Sequence, residues 1–207
     1  NQQDEVPPPS GLARVRTDRA LYKRQGKTAL ERLTGDFLFK PAPDWYGRVS
    51  IGYLEPMFGG VSTELLWHPS NQKWGLGAEV NYAKQRDFDQ LFGFQNYDVV
   101  TGHVSAYWAV NKGLTAQLDA GRYLAGEWGA TLSVDPVFAN GWKIGAYATV
   151  TDANHAAYGE GSFTKGLRMS VPLSWGVGTP NRKTYAIDMN TLARDGGARL
   201  DVNNRLY

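Results

Sequence analysis

The residues that could do chemistry are few and scattered. The chain has three histidines (His68, His103 and His155) and no cysteine, which removes thiol nucleophiles, disulfides and zinc-thiolate sites together. Only His155 has suggestive neighbours. Asp152, Glu160 and Ser162 lie in the same stretch, and a Ser/His/Asp hydrolase uses such a set. Nothing in that spacing orients a base toward a nucleophile, so solvated loop residues are the plainer reading. Glu79 and Asp119 could form a glycosidase carboxylate pair, but spacing in sequence does not set the separation that reaction needs. Gly26-Lys27-Thr28 looks like the end of a phosphate-binding loop, yet Leu21 stands where its first glycine belongs. Neither HExxH nor GxSxG occurs. The expectation is a non-enzyme with no metal or cofactor.

The elements that would position any site are set by composition and pattern. A length of 207 residues suits about one domain. Lys+Arg number 22 against 20 Asp+Glu, a net charge of +2, which excludes a nucleic-acid binder driven by bulk charge. No segment approaches the ~18 apolar residues of a membrane-spanning helix. Glycine (24 residues) and aromatics (13%) are abundant. Residues 1–11, with Pro7-Pro8-Pro9, read as a disordered or extended lead-in, leaving 12–207 as the single domain. The stretch from Arg14 to Arg32 is the most basic, and a solvated face is favoured there over contact with anionic lipid or polysaccharide.

Beyond the lead-in the dominant signal is alternation with a period of two. In 73–84, Trp74, Leu76, Ala78, Val80 and Tyr82 share one face, and Lys73, Gly75, Gly77, Glu79 and Asn81 the other. The pattern recurs over 60–68, 98–110, 113–121, 127–135, 142–151 and 166–175, with weaker strands near 29–40, 45–54 and 197–206. About ten strands result. Tight turns fall at Pro41–Asp44, Pro69–Asn71, Asn111–Gly113 and Asn140–Gly141, and longer polar connections at about 85–97 and 152–163.

If the strands run up and down, the tight turns share one end and the long loops the other. That asymmetry matches an outer-membrane barrel. Trp45, Trp67, Trp74, Trp108, Trp142 and Trp175 then fall at the short-turn end of the apolar face, and Trp128 at the other, as membrane-girdle aromatics would. The polar face would carry Glu79, His103, Asp119, Lys143, Tyr147 and Arg168 as lumen residues facing a polysaccharide. Arg86 and Asp87 would pin one long loop; Glu160 and Phe163 lie in the other. A β-sandwich with buried tryptophans alternates in the same way.

Longer runs go beyond strand patterning. They are Met57-Phe58-Gly59-Gly60-Val61-Ser62-Thr63-Glu64-Leu65-Leu66, Lys84-Gln85-Arg86-Asp87-Phe88-Asp89 followed by Thr101-Gly102-His103, and Gly121-Arg122-Tyr123-Leu124-Ala125-Gly126. Further along come Asn140-Gly141-Trp142-Lys143-Ile144-Gly145-Ala146, Gly159-Glu160-Gly161-Ser162-Phe163-Thr164-Lys165-Gly166 and Arg194-Asp195-Gly196-Gly197-Ala198-Arg199-Leu200. In this order, from about Val15 onward, the chain resembles the C-terminal part of the YjbH-like (GfcD-like) outer-membrane proteins of exopolysaccharide and capsule biosynthesis. The resemblance implies a Gram-negative outer-membrane location, a β-barrel and a part in exopolysaccharide production or export. It brings no established catalytic residues. Members of the family are much longer and typically start with an acylated Cys, a residue type this chain lacks.

The expected fold is therefore an all-β, antiparallel, up-and-down transmembrane β-barrel, or part of one, with roughly 8–10 strands. Its expected partners are outer-membrane lipid, a secreted polysaccharide and other subunits or a missing N-terminal portion of an export assembly, with no nucleic acid. A barrel of about eight strands is just filled by its own side chains, so a conduit and an accessory remain open alternatives. The second reading is a soluble carbohydrate-binding β-sandwich of the periplasm or cell surface.

Overall fold

Alternating sequence becomes alternating structure. The computed structural model describes residues 13–26, 29–136, 138, 142–152, 162–172, 184–190 and 195–207. Among these residues one short helix, α1 (Arg19–Gln25), precedes ten strands: β1 (Leu33–Ala42), β2 (Trp45–Tyr53), β3 (Phe58–Trp67), β4 (Trp74–Arg86), β5 (Phe94–Asn111), β6 (Leu114–Arg122), β7 (Trp128–Pro136), β8 (Lys143–Thr151), β9 (Phe163–Pro172) and β10 (Thr184–Asn190). Each strand pairs antiparallel with the next, so the sheet order is the chain order, β1 through β10. Short turns join β1–β2, β3–β4 and β5–β6 at one end, as their sequences predict.

The expected barrel is not formed. The sheet begins at β1 and ends at β10, and these two strands do not pair with each other. An open edge leaves a row of backbone N–H and C=O groups that hydrocarbon cannot satisfy, at several kcal/mol each. The reading of a closed transmembrane barrel, and of a barrel component inserted in lipid, is corrected by that finding. Alternation fixes which face each side chain takes, but it carries no information on whether the first and last strands meet. Among the described residues no helix is long and apolar enough to cross a membrane. Among the described residues no second sheet lies against the first, as a sandwich requires; the covering layer is α1 and extended chain.

The polarity of the two faces is inverted relative to an ordinary soluble sheet. Along β4 the polar set is buried and the apolar set exposed, and β5 repeats this over most of its length. The covered, inner face holds Arg48, Ser50, Ser62, Glu64, Glu79, Asn81, Thr101, His103, Ser105 and Asp119. The outer face exposes Ile51, Leu65, Val80, Val100, Val104, Leu118 and Leu132. The apolar core gathers at the end opposite the short turns, from Val15, Tyr22, Leu54, Met57, Phe58, Ala83, Val99, Leu124, Ala198, Leu200 and Val202. Val15 and Tyr22 come from the N-terminal segment, and Ala198, Leu200 and Val202 from the C-terminal one.

The weak strand expected at 197–206 is instead extended chain without ladder pairing. Its alternation is real, since Ala198, Leu200 and Val202 are buried between exposed or half-buried neighbours. The long connection expected over 85–97 is shorter, because β4 runs to Arg86 and β5 starts at Phe94. The lead-in 1–11, His155, Glu160 and Trp175 lie outside the described residues.

Candidate functional site

Strand register assembles the inner face into rows. Residues directly opposite in an antiparallel pair share a face. Arg48 opposes Glu64, Glu64 opposes Glu79, and Glu79 opposes His103. A second row runs Ser50, Ser62, Asn81, Thr101. Ser105 opposes Asp119, which opposes Thr131. Three of the six expected polar-face candidates, Glu79, His103 and Asp119, are thus brought into one buried cluster. Tyr147 opposes Ser133 on the same sheet. Lys143 and Arg168 are placed by backbone only, opposite Ser170 and Gly145 respectively.

Two glutamates side by side on a buried face repel each other, and arginines resolve the conflict. Arg48, wholly buried, donates from Nε to Glu64 Oε2 at 3.0 Å and from its two Nη atoms to Ser50 Oγ at 2.7 Å and Ser62 Oγ at 3.0 Å. The other cations arrive from the C-terminal segment. Arg199 Nη1 lies 2.8 Å from Asp119 Oδ1, and its Nη2 lies 3.6 Å from Glu79 Oε1. Arg205 Nη2 is 3.3 Å from Glu79 Oε2. Asn81 Nδ2 donates to Glu79 Oε1 at 3.0 Å. Asp119 also accepts from Ser105 and from Gln117 Nε2.

The electrostatics follow from this packing. Burial pushes the Glu79 carboxyl up, but Arg205, Arg199 and Asn81 outweigh it and hold the group below the usual glutamate range. Burial and Arg199 depress His103 to about 4, so at neutral pH its ring is uncharged. The ring is 3% exposed, neither nitrogen has a hydrogen-bond partner among the described residues, and it packs edge-on to Tyr123 at 4.7 Å. Arg199 is raised above its ordinary value because Glu79 and Asp119 more than offset its burial.

The C-terminal segment that supplies these cations is fastened along its length. Asp195 Oδ1 accepts from the backbone N–H groups of Val15, Arg16 and Thr17 at 2.7–3.0 Å, and its Oδ2 accepts from Thr17 Oγ1. Gly197 N–H donates to Glu127, and Leu124 N–H to the Ala198 carbonyl. Asp201 N–H donates to Glu55 Oε2, whose carboxylate also receives Arg16 in a two-pronged contact at 2.6 and 2.9 Å. Leu206 N–H donates to Glu64, and the Tyr207 ring stacks on Tyr107 at 4.0 Å. Residues 195–207 are a strap that seals the polar face. Glu79 and Asp119 are both tied to Arg199, not set apart around an open cleft as a glycosidase pair would be. Among the described residues, no group of His, Asp and Glu is placed to hold a metal ion.

The long-loop residues are structural. Arg86 is fully buried, and its guanidinium donates to six backbone carbonyls, those of Leu30, Glu31, Glu55, Pro56, Gln90 and Leu91. It ties the β4–β5 loop, at Gln90 and Leu91, to residues 30–31 and 55–56 through these carbonyls and not through Asp87. Phe163 is exposed at the start of β9. Asp152 accepts from Trp128 N–H.

On the outer face, four of the expected girdle tryptophans form a contiguous row. Trp45 opposes and stacks on Trp67 at 6.2 Å, Trp67 meets Trp74 edge-on at 5.1 Å, and Trp74 opposes Trp108. All but the half-buried Trp67 are exposed. A shallow apolar depression beside the row is lined by Trp74, Leu76, Trp108, Leu118 and Leu132. Trp128 is exposed at the opposite end, and Trp142 is half-buried. The strap residues Arg199, Arg205 and Tyr207 were the part of the site hardest to foresee; the charges in ARLDVNNRLY were the available signal.

An open antiparallel sheet with an apolar outer face and a polar inner face sealed by its own arginine strap defines the class: a single-sheet β protein whose described residues hold no exposed catalytic constellation. The chain belongs to the YjbH family: the family model described as "Exopolysaccharide biosynthesis protein YbjH" matches residues 1–207. It is 39% identical over 206 residues to the "Uncharacterized lipoprotein YjbH" of Escherichia coli (strain K12), which covers 97% of this chain. The chain spans only 29% of the length of that relative. No solved structure matches.

Proposed function

We propose that this chain is a non-catalytic, carbohydrate-binding part of an exopolysaccharide assembly, working at the outer membrane of a Gram-negative bacterium. The observation that carries the reading is the Trp45–Trp67–Trp74–Trp108 row. Aromatic rings with one open face stack on the C–H faces of sugars, while the indole N–H remains free to bond a hydroxyl. A row crossing four strands offers successive stacking positions to a linear polymer, and exposed apolar patches of this kind mark interaction sites. The sealed inner face supports the same assignment by exclusion: its carboxylates are paired with arginines and covered. Family membership supports the polymer class, and the lipoprotein relative supports the membrane location.

The test is affinity electrophoresis and calorimetry of the chain against purified exopolysaccharide. Trp67→Ala and Trp108→Ala are expected to weaken binding by about tenfold or more, as truncation of aromatic anchors does. Trp128→Ala, at the far end, is expected to leave it unchanged. Binding to lipid vesicles but not to polysaccharide, lost in the same two variants, would overturn the reading.

A further inference from the structure

β1 differs from every other strand with a fully described face pattern: none of its residues is buried on either face. Phe37 is 66% exposed, Leu38 57% and Leu33 58%. Among the described residues no strand pairs with its outer edge. A ten-residue, mostly exposed edge strand whose outer backbone groups meet no other strand among the described residues is a template for another strand. Its own sequence specifies which one.

Phe37 opposes Val49 and Leu38 opposes Arg48. Asp36, Leu38 and Lys40 therefore project to the inner side, and Phe37 and Phe39 to the outer side. Antiparallel pairing of this strand with a copy of itself, with the two-fold axis at Leu38, sets Asp36 of one copy opposite Lys40 of the other, twice. The same register sets Phe37 opposite Phe39 twice, and Leu38 opposite Leu38. A register one residue away, with the axis at Phe37, opposes Lys40 to Thr34 and Asp36 to Leu38 and satisfies neither charge. Phe37 and Phe39 already stack within one chain at 5.7 Å, so the four rings would form one cluster. Pro41, which lacks an N–H, lies beyond the Asp36–Lys40 segment, within the irregularity between Phe39 and Ala42.

We propose that the β1 edge is a self-recognition surface, through which two copies of this chain join their sheets about a two-fold axis at Leu38. Such a contact is self-complementary and closed, as an isologous dimer requires. It goes beyond carbohydrate binding and does not depend on it, because the pairing uses the free edge of β1 about Leu38, whereas the tryptophans sit on the outer face of β2 to β5, the nearest of them, Trp45, opposite Ala42.

The experiment is sedimentation equilibrium of the 207-residue chain and its charge variants. The wild type is expected to show a monomer–dimer equilibrium. Asp36→Lys, which puts lysine opposite lysine twice, should weaken dimerisation at least about tenfold. Lys40→Asp should do the same, and the double exchange Asp36→Lys with Lys40→Asp should restore it to within about threefold. The chain has no cysteine, so Leu38→Cys provides a geometric check. Cα atoms opposite each other in a ladder lie about 4.5–5.5 Å apart, within disulfide range. Leu38→Cys should cross-link two chains on mild oxidation, and Val104→Cys, exposed in mid-sheet, should not. A chain that is monomeric at every concentration, a double exchange that fails to restore association, or equal cross-linking at both positions would overturn the proposal. Cross-linking by Leu38→Cys together with charge-independent association would also overturn the register.

Discussion

Replacing Arg86 by lysine keeps the charge and removes the geometry. The guanidinium reaches six carbonyl oxygens at 2.7–3.4 Å, with the shortest contacts to Gln90 and Leu30. Its plane also sits 4.2 Å from the Tyr53 ring centroid. No carboxylate hydrogen-bonds it among the described residues, and burial lowers its pKa from the ordinary arginine value. An ammonium has three donors on one point, so at least three of the six carbonyls lose their contact. At about 1 kcal/mol for each acceptor, the low end for buried groups, the cost is about 3 kcal/mol. With a urea m-value of ~2 kcal/mol/M, the midpoint should fall by about 1.5 M. Arg86→Met, with no donor at all, should fall further. Urea unfolding followed by circular dichroism measures both. An Arg86→Lys midpoint within about 0.25 M of wild type, or a methionine variant more stable than the lysine one, would refute the view that carbonyl satisfaction fixes the loop.

Other perturbations separate the strap, the buried histidine and the turns. His103 has a folded pKa of about 4 against ~6.5 unfolded. On acidification the unfolded state takes up that proton first, so stability should decline from about pH 6.5 to about 4, by at most about 3 kcal/mol. Glu79, held low, stabilises above its unfolded pKa, and that contribution is lost as pH falls through its lower folded value. His103→Phe should flatten the upper part of the stability–pH curve and leave the lower part; an unchanged upper slope would show that His103 does not carry it. Arg199→Ala frees Asp119 and weakens the hold on Glu79. Amide exchange at Gly197, Asp201 and Leu206 should quicken by about thirtyfold, equivalent to about 2 kcal/mol for a partly buried pair. Unchanged exchange would mean that the backbone contacts alone hold the strap. A Cβ on Gly121 would collide with the Gly102 carbonyl across the β5–β6 ladder. Gly121→Ala should therefore cost at least about 2 kcal/mol in thermal unfolding, whereas Gly196→Ala, with open space around it, should cost much less.

Period-two alternation made most of the sheet readable, because each strand's side chains are sorted by the pleat before any tertiary contact exists. That is why Glu79, His103 and Asp119 could be assigned to one face, and why register then makes Glu79 and His103 neighbours. The turn residues Asn111-Lys112-Gly113 likewise mark the β5–β6 reversal locally. Three things were not legible. The alternation of 197–206 marks extended chain, but whether such chain joins a ladder or lies across one depends on what it packs against. Arg199 and Arg205 acquire their partners only through strands far away in sequence. Closure of the sheet is equally non-local: nothing in the alternation of β1 and β10 says whether these two strands meet each other. The adjacent charges of Arg86 and Asp87 suggest an ion pair in the loop; a loop's carbonyls have no sequence signature, so the partners Arg86 has in the structure are not readable from it.

The polar face of this sheet is sealed and the apolar, tryptophan-bearing face is open. A chain without native cysteines allows a direct measurement: single cysteines placed in turn at Leu76, Gly77, Ala78, Val80, Asn81, Tyr82 and Ala83 of β4, each exposed to a membrane-impermeant maleimide under native conditions. Labelling is expected at 76, 78, 80 and 82 and protection at 77, 81 and 83, following the burial of that strand. Labelling in the opposite phase, or uniform protection along the strand, would contradict it.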